Sequence, residues 1–365
     1  MRLGFLDFFR DIANFVKSGS VLGIDIGTVS VKIAEVGKRG ERFRLLNYGV
    51  LETKRYFERP NEAIQTSSLK LSEAAATELV KTLLRETGTK TRTAVCSIPA
   101  FSAFVAPLEM PFLSPAETAR TVGFEARQYI PLPVSEVSID WLKVDEFDSP
   151  QGGRSQRLLL IGIPNETIRK YKNIFKNCGL RLVALELETF SLIRALGRFS
   201  SPTLVVDIGA ESTAIAVAEA GVLKHVSQTD YGGIHLTAAL SKSLGVSVKR
   251  AEELKRRRGL LATGGESELS TLIVPFLDVI IQEVRYAQDS YERRWAKKVA
   301  GLTLVGGGSE LLGIEKYLER QMGLPCTSPD VFGDVDYDAS AEPLRRNLSR
   351  VLPVAVGLAK KYFQN

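Results

Sequence analysis

The chain has 365 residues, 44% hydrophobic and 25% charged, a balance that excludes a disordered protein and gives room for two or three compact domains. Its net charge of +6 comes from 48 basic residues spread along the sequence, with no stripe that would mark a nucleic-acid interface. Cys96, Cys178 and Cys326 lie far apart with no CxxC pair, so the spacing encodes neither a zinc site nor a disulfide framework, and with neither HExxH nor GxSxG a histidine-based hydrolase has few candidates. His225 and His235 read as structural or surface residues.

The stretch MRLGFLDFFRDIANFVK, Met1 to Lys17, gathers its apolar residues largely on one helical face. Charges within that stretch argue against a cleaved signal; the helix suits docking on its own domain, contact with a partner, or lying on a membrane surface. No run of about 18 apolar residues follows, so no spanning helix is expected. VLGIDIGTVSVKIAEV then alternates like a buried strand, except that Asp25 and Gly27 interrupt it, which predicts a hairpin turn. GERFRLLNYGVLET reads as a third strand, and LSEAAATELVKTLLRETG as an amphipathic helix ended by Gly88. TRTAVCSIPA is a strand, SPAETARTVGFEARQYI a helix capped by Ser114 with Pro115 at its first position, and Pro131 and Pro133 stop it. VSIDWLKVDEF and SQRLLLIGIP are strands, and these four elements form a compact insert.

NETIRKYKNIFKNCGL, with Asn165 as N-cap, and LETFSLIRAL are expected to be helical. SPTLVVDIGAESTAIAVAEAGV is a second hairpin, followed by the helices GIHLTAALSKSLG, SVKRAEELKRRRG and a long one that Pro275 should bend or break. On that long helix Tyr286, Tyr291 and Trp295 read as core or interface. VAGLTLVGGGSELLGIEKYLERQMG is a strand, a glycine turn and a helix capped at Ser309, and RVLPVAVGLAKKYF is a closing helix.

An internal repeat organises these elements. DIGTVSVKIAEV, from Asp25, and DIGAESTAIAVA, from Asp207, match at Asp, Ile, Gly, Ser, Ile and Ala, so the halves look like copies of one α/β unit facing each other across a cleft. A tight glycine turn leaves backbone N–H groups open to a phosphate chain. Gly27, Thr28, Val29, Ser30 and Lys32 form the first such loop, and Gly209, Ala210, Ser212 and Thr213 the second. Magnesium needs only one or two carboxylates beside a phosphate chain, which suits Asp25 and Asp207 acting through water. Gly306, Gly307, Gly308 and Ser309 supply a turn against which a base or ribose can lie.

Two DIG hairpins, the VGGGSELLG turn and AEELK together resemble the actin-like ATPase superfamily, from Val21 to the closing helix. The resemblance implies the ribonuclease H-like fold, two similar α/β domains around a site for ATP and Mg2+, with Glu252 and Lys255 at ribose and adenine and Gly306 to Ser309 at the adenosine. It also implies that Glu188 positions water, although Thr189 stands where that family has proline. Met110, Pro111, Leu113, Glu117, Glu125, Ala126, Tyr129, Ile130, Pro131, Pro133, Glu136 and Asp140 closely resemble the middle segment of the PilM family of type IV pilus assembly proteins. That likeness implies an FtsA-like plan: an N-terminal helix over 1–19; a first domain over 20–91 and 164–200 with a closing helix at 350–365; an insert over 92–163; and a second domain divided into 201–230 with 300–349, and 231–299. It further implies a cytoplasmic ATP-binding scaffold at the inner face of the membrane. Its partners would be the N-terminal cytoplasmic tail of a PilN-like membrane protein, in a groove between first domain and insert, together with motor or platform components. Membrane association would then be peripheral, and oligomers or filaments are compatible with the family.

Two other readings stand beside it. A small-molecule kinase of the same superfamily needs a general base, for which Asp230 and Glu211 form no clear motif. An FtsA-like filament protein would usually carry a C-terminal membrane helix, whereas this sequence ends at GLAKKYFQN.

Overall fold

The computed structural model describes residues 19–52, 72–150, 152–261 and 267–364, without the side chains of 267–269. The expected N-terminal helix lies outside them. β1 (Ser20–Ile26) and β2 (Ser30–Arg39) form the first hairpin, and β3 (Arg42–Glu52) extends it antiparallel. Helix α1 (Glu73–Thr87) is capped by Ser72, whose hydroxyl accepts from the Ala75 N–H, and ends at Gly88 with φ 63°. β4 (Thr93–Ile98) is buried at every residue and runs parallel to β1. It therefore belongs to the first domain's sheet, and the expected insert boundary at 92 moves to the C-terminal side of Ile98.

The insert contains a strand that the sequence reading missed, β5 (Phe104–Pro111), followed by α2 (Pro115–Tyr129), β6 (Val137–Asp148) and β7 (Arg154–Pro164). Pro107 and Pro111 disguise β5, but its place in the order β5-β7-β6 is an edge, where a missing N–H is tolerated. Ser114 and Glu117 make a capping box at α2 with Pro115 in its first turn, and the helix stops before Pro131 and Pro133 as expected. One face of β7 packs Leu158 and Leu160 against Val122 and Ala126 of α2, while Leu159, Ile161 and Ile163 enter the first domain's core.

α3 (Asn165–Asn177) follows β7 without a linker. Pro164 occupies the cap position, so Asn165 is not the cap; its side chain accepts from the Ser138 hydroxyl at 2.8 Å and donates to the Ser135 carbonyl at 3.0 Å. β8 (Arg181–Leu187), also unassigned from sequence, pairs parallel with β4 and leads into α4 (Glu188–Leu196). Glu186 on β8 is fully buried and bonded to Arg194, Ser191 and Lys361. Burial would raise its carboxyl, but Arg194 and Lys361 outweigh that and hold it at about 2.

The second domain repeats the plan with β9 (Thr203–Ile208), β10 (Thr213–Glu219) and a third strand, β11 (Val222–Thr229), beyond the expected hairpin. α5 (Gly233–Leu244), α6 (Val248–Arg258) and α7 (Ser267–Trp295) follow, and α7 runs unbroken through Pro275. β12 (Gly301–Val305), α8 (Ile314–Met322) and β13 (Cys326–Thr327) complete a sheet of order β11-β10-β9-β12-β13. Leu236, Ala251, Ile273 and Val284 share one core with Leu204, Val206 and Ile215, so 231–299 is a layer on that sheet and not a separately cored unit. Tyr291 is fully buried there and stacks on Trp295 with centroids 6.1 Å apart, whereas Tyr286 is exposed.

β14 (Val335–Asp336) pairs with β3, completing the first sheet, β14-β3-β2-β1-β4-β8. With Val331 and Phe332 also in the first core, the chain has returned before the expected boundary at 349. α9 (Arg345–Val351) precedes α10 (Pro353–Gln364), so two helices stand where one was expected. α10 lies so close to its neighbours that a Cβ at Gly23 would overlap the Ala355 carbonyl, and one at Gly357 the Ser191 carbonyl. No helix among the described residues is long and apolar enough to cross a membrane.

Candidate functional site

The two hairpins meet at a cavity of about 440 Å³ between the domains, within the range of small-molecule sites. Their turns are closed identically: the Gly27 N–H donates to the Ser30 carbonyl at 2.9 Å, and the Gly209 N–H to the Ser212 carbonyl at 2.9 Å. In each case a Cβ would crowd that same carbonyl, at 3.1 Å and 2.9 Å. Asp25 faces Lys32 in the register of the first hairpin, while Asp207 faces Ala214 in the second. The repeat is thus symmetric in backbone and asymmetric in charge.

Lys32 donates to Asp25 Oδ2 at 3.0 Å, and the Ser97 hydroxyl donates to Asp25 Oδ1 at 2.8 Å. Asp25 therefore arrives at the cavity with both oxygens engaged. Burial works to lower the Lys32 ammonium, but Asp25, Asp207 and Glu188 outweigh it and hold it above its ordinary range. Asp207 has no lysine of its own; burial, with the Asp25 charge adding to it, pushes its carboxyl up to about 6 against the pull of Lys32. Glu188 opens α4 and accepts from the Ala100 N–H at 3.0 Å. Burial and the charges of Asp207 and Asp25 push it to about 8. Three carboxylates thus share one lysine, an arrangement that favours a further cation.

The second turn is braced by α5: the Gly233 and Ile234 N–H groups donate to the Gly209 and Ala210 carbonyls at 3.0 and 2.9 Å. A side chain at Gly232 would collide with the Ala210 carbonyl, 2.5 Å from its Cβ. Gly306, at φ +80°, passes so near the second hairpin that a Cβ would overlap Asp207 Oδ1 and lie 2.6 Å from the Ile208 carbonyl. On α6, Lys255 bonds Glu252 at 2.6 Å, the Thr237 hydroxyl at 2.8 Å and the Gly233 carbonyl at 3.0 Å. Leu236, Phe276, Leu277, Leu311 and Ile314 add an apolar wall beside this polar corner.

Of the residues singled out in the sequence, Asp25, Gly27, Thr28, Val29, Ser30, Lys32, Glu188, Asp207, Gly209, Ala210, Ser212, Glu252, Lys255, Gly306, Gly307 and Gly308 all line the cavity. Thr213 and Ser309 do not. Both are buried: the Thr213 hydroxyl donates to the Tyr231 carbonyl at 2.7 Å, and the Ser309 hydroxyl to the Gly306 carbonyl at 2.7 Å. Ser309 is also no helix cap, because a 3-10 turn spans Gly307–Glu310 and α8 starts after Gly313. Thr213→Val is accordingly expected to leave affinity for a cavity ligand within about twofold, measured by calorimetry, since only a bond away from the cavity is lost.

Ser97, Phe101, Glu52 and Arg256 were missed. Arg256 on α6 reaches Glu52 on β3 at 3.7 Å, an ion pair across the cleft mouth. Asp230 is not among the lining residues, and Glu211 is. His225 is held down to about 4 by burial, and His235 accepts from the Gly232 N–H at 3.1 Å, so both histidines are structural.

The family described as type IV pilus assembly protein PilM matches residues 23–363. The chain belongs to this family. The cell division protein FtsA of Enterococcus hirae is 24% identical, the match covering 93% of this chain and 86% of that protein. Among solved structures, the PilM-PilN type IV pilus biogenesis complex superposes with a TM-score of 0.80 at 24% identity, covering 94% of this chain and 98% of that one. MreB5 of Spiroplasma citri bound to ADP gives a TM-score of 0.56 at 13% identity, covering 95% and 96%. The fold is actin-like, in agreement with the resemblance carried by the two DIG hairpins, the VGGGSELLG turn and AEELK.

Proposed function

We propose that this member of the pilus assembly family is an ATP-binding scaffold, and that it holds the N-terminal cytoplasmic tail of a PilN-like membrane protein at the inner face of the membrane. The observation that carries the nucleotide reading is the cavity between the hairpins, with two glycine turns, the lysines Lys32 and Lys255 and an apolar wall lining a single volume. Lys32 and the two turns receive the phosphates, Glu252 and Lys255 the ribose and base, and the turn from Gly306 to Gly308 lies along the nucleoside, with open space beside Gly307.

Magnesium fits the donor set in one respect. Asp207 is a cavity carboxylate with no cation of its own, whereas Asp25 is already engaged by Lys32 and Ser97. Asp207 is thus the residue that would hold the ion, through its water shell, and Asp25 fixes the lysine. When bound, the ion neutralises phosphate charge. Glu188 is pushed up to about 8 by burial and by the charges of Asp207 and Asp25, so a cation bound beside them would favour its charged form.

The test is calorimetry with ATP and Mg2+ on the wild type and on Asp207→Ala. Binding by the wild type, weakened at least about tenfold in the variant, is expected, since a charge-assisted contact is worth about 1.5–3 kcal/mol. No binding by the wild type would remove the nucleotide reading; equal binding by both would remove the role of Asp207 at the ion. For the partner, immobilised peptide from a PilN-like N-terminus should retain the protein; no retention would remove that part alone.

A further inference from the structure

Far from the cavity, the insert touches the second domain through a short row of side chains. Arg157 on β7 stands in register between Glu109 on β5 and Asp145 on β6. Its guanidinium donates to Glu109 at 3.0 Å and to Asp145 at 3.3 Å, and lies 4.8 Å from the centre of the Trp295 ring. From the second domain, Arg294 donates to the same Glu109 oxygen at 2.9 Å. Lys224 of β11 stands 4.2 Å over Trp295 and donates to the Val144 carbonyl of β6 at 3.0 Å. One carboxylate is thus shared by arginines of two domains, and one indole lies under cations from both.

These contacts join the insert to a rod that begins at the cavity. α7 lines the cavity with Phe276 and Leu277 and ends at Trp295. From Leu277 to Arg294 it advances roughly 26 Å at the helical rise of about 1.5 Å per residue. Ile280, Ile281, Val284, Ala287 and Tyr291 are buried in the second core, so this length moves with its domain as one body. The other attachment of the insert is to the first domain, through Leu159, Ile161 and Ile163. The insert therefore spans both domains on which a ligand in the cleft would pull. The Trp295 N–H is buried without a hydrogen-bond partner among the described residues. The ring is gripped by its faces and by charge, contacts that tolerate sliding better than a directional bond does.

We propose that occupancy of the cleft is transmitted to the insert through α7 and this Glu109, Arg157, Arg294 and Trp295 link, so that the inserted sheet takes up a different position when nucleotide is bound. The inference rests on the nucleotide reading above. A ligand that contacts both domains favours the closed arrangement of the cleft, and a rod fixed in one domain passes the change to whatever its far end holds.

The experiment is hydrogen–deuterium exchange on the full chain with and without ATP and Mg2+, with calorimetry on the same samples. In the wild type, exchange in β5 and β7 is expected to change about fivefold or more on binding. In Arg294→Gln combined with Trp295→Leu, nucleotide still binds and exchange around Gly209 and Gly306 still responds, while the response of β5 and β7 is lost. Glu109→Gln, on the partly exposed insert side, gives the same loss without touching the second core. Bound nucleotide with no response in wild-type β5 and β7, or an unchanged response in the variants, overturns the link. Absence of calorimetric heat removes the nucleotide reading, and the link with it.

Discussion

Gly306→Ala is expected to cost about 3 kcal/mol of folding stability, whereas Gly307→Ala costs nothing measurable and instead weakens nucleotide binding about tenfold or more. The two glycines are neighbours with different obligations. At 306 the backbone sits at φ +80° and a methyl group would overlap Asp207 and crowd the Ile208 carbonyl, so the protein itself needs the hydrogen. At 307 nothing lies within 4 Å of the place a methyl group would take, so only something held in the cavity would meet it. Denaturant unfolding separates the first effect and calorimetry the second. A Gly307→Ala protein that binds ATP like the wild type would mean that the nucleoside does not lie along this turn.

Glu188→Gln should stabilise the empty protein by about 4 kcal/mol at pH 8 and by less than about 1 kcal/mol at pH 5. The folded-state carboxyl is raised from its ordinary 4.5 to about 8 by burial and by Asp207 and Asp25. Between those two values the folded protein binds more protons than the unfolded chain. Stability therefore falls as pH rises through that window in the wild type, and not in the glutamine variant. The Ala100 N–H keeps its acceptor in the amide, which isolates the charge. Urea unfolding at the two pH values is the measurement, and a variant no more stable than wild type at pH 8 would show that Glu188 is not held among like charges. A group that weakens the empty fold in this way is understandable where a cation and phosphates complete the site.

The hairpins, their turns and the residues on them were legible because each signal is local: an aspartate, a glycine two residues on, and a duplicate to compare. What failed depended on neighbours. Ser97 lies beside Asp25 only because β4 pairs parallel with β1, and the same pairing moved the insert boundary. β5 hid behind two prolines that only an edge strand can carry. Asn165 has the right type for a cap, but β7 runs directly into α3 and turns its side chain toward Ser135 and Ser138. Thr213 and Ser309 carry suitable hydroxyls, and both spend them on backbone carbonyls. Pattern located the loops; tertiary hydrogen bonding decided which of their side chains face the cavity.

The substitution of Ala214 for a second lysine has a directional consequence. Two identical hairpins facing each other would form a vestibule with a two-fold axis, into which an elongated anion could thread either end first. Lys32 on one rim, Asp207 unneutralised on the other, and the Glu252–Lys255 corner on α6 remove that axis. The duplicated framework supplies the enclosure, and Lys32, Glu252 and Lys255, which were not duplicated, give it a head and a tail.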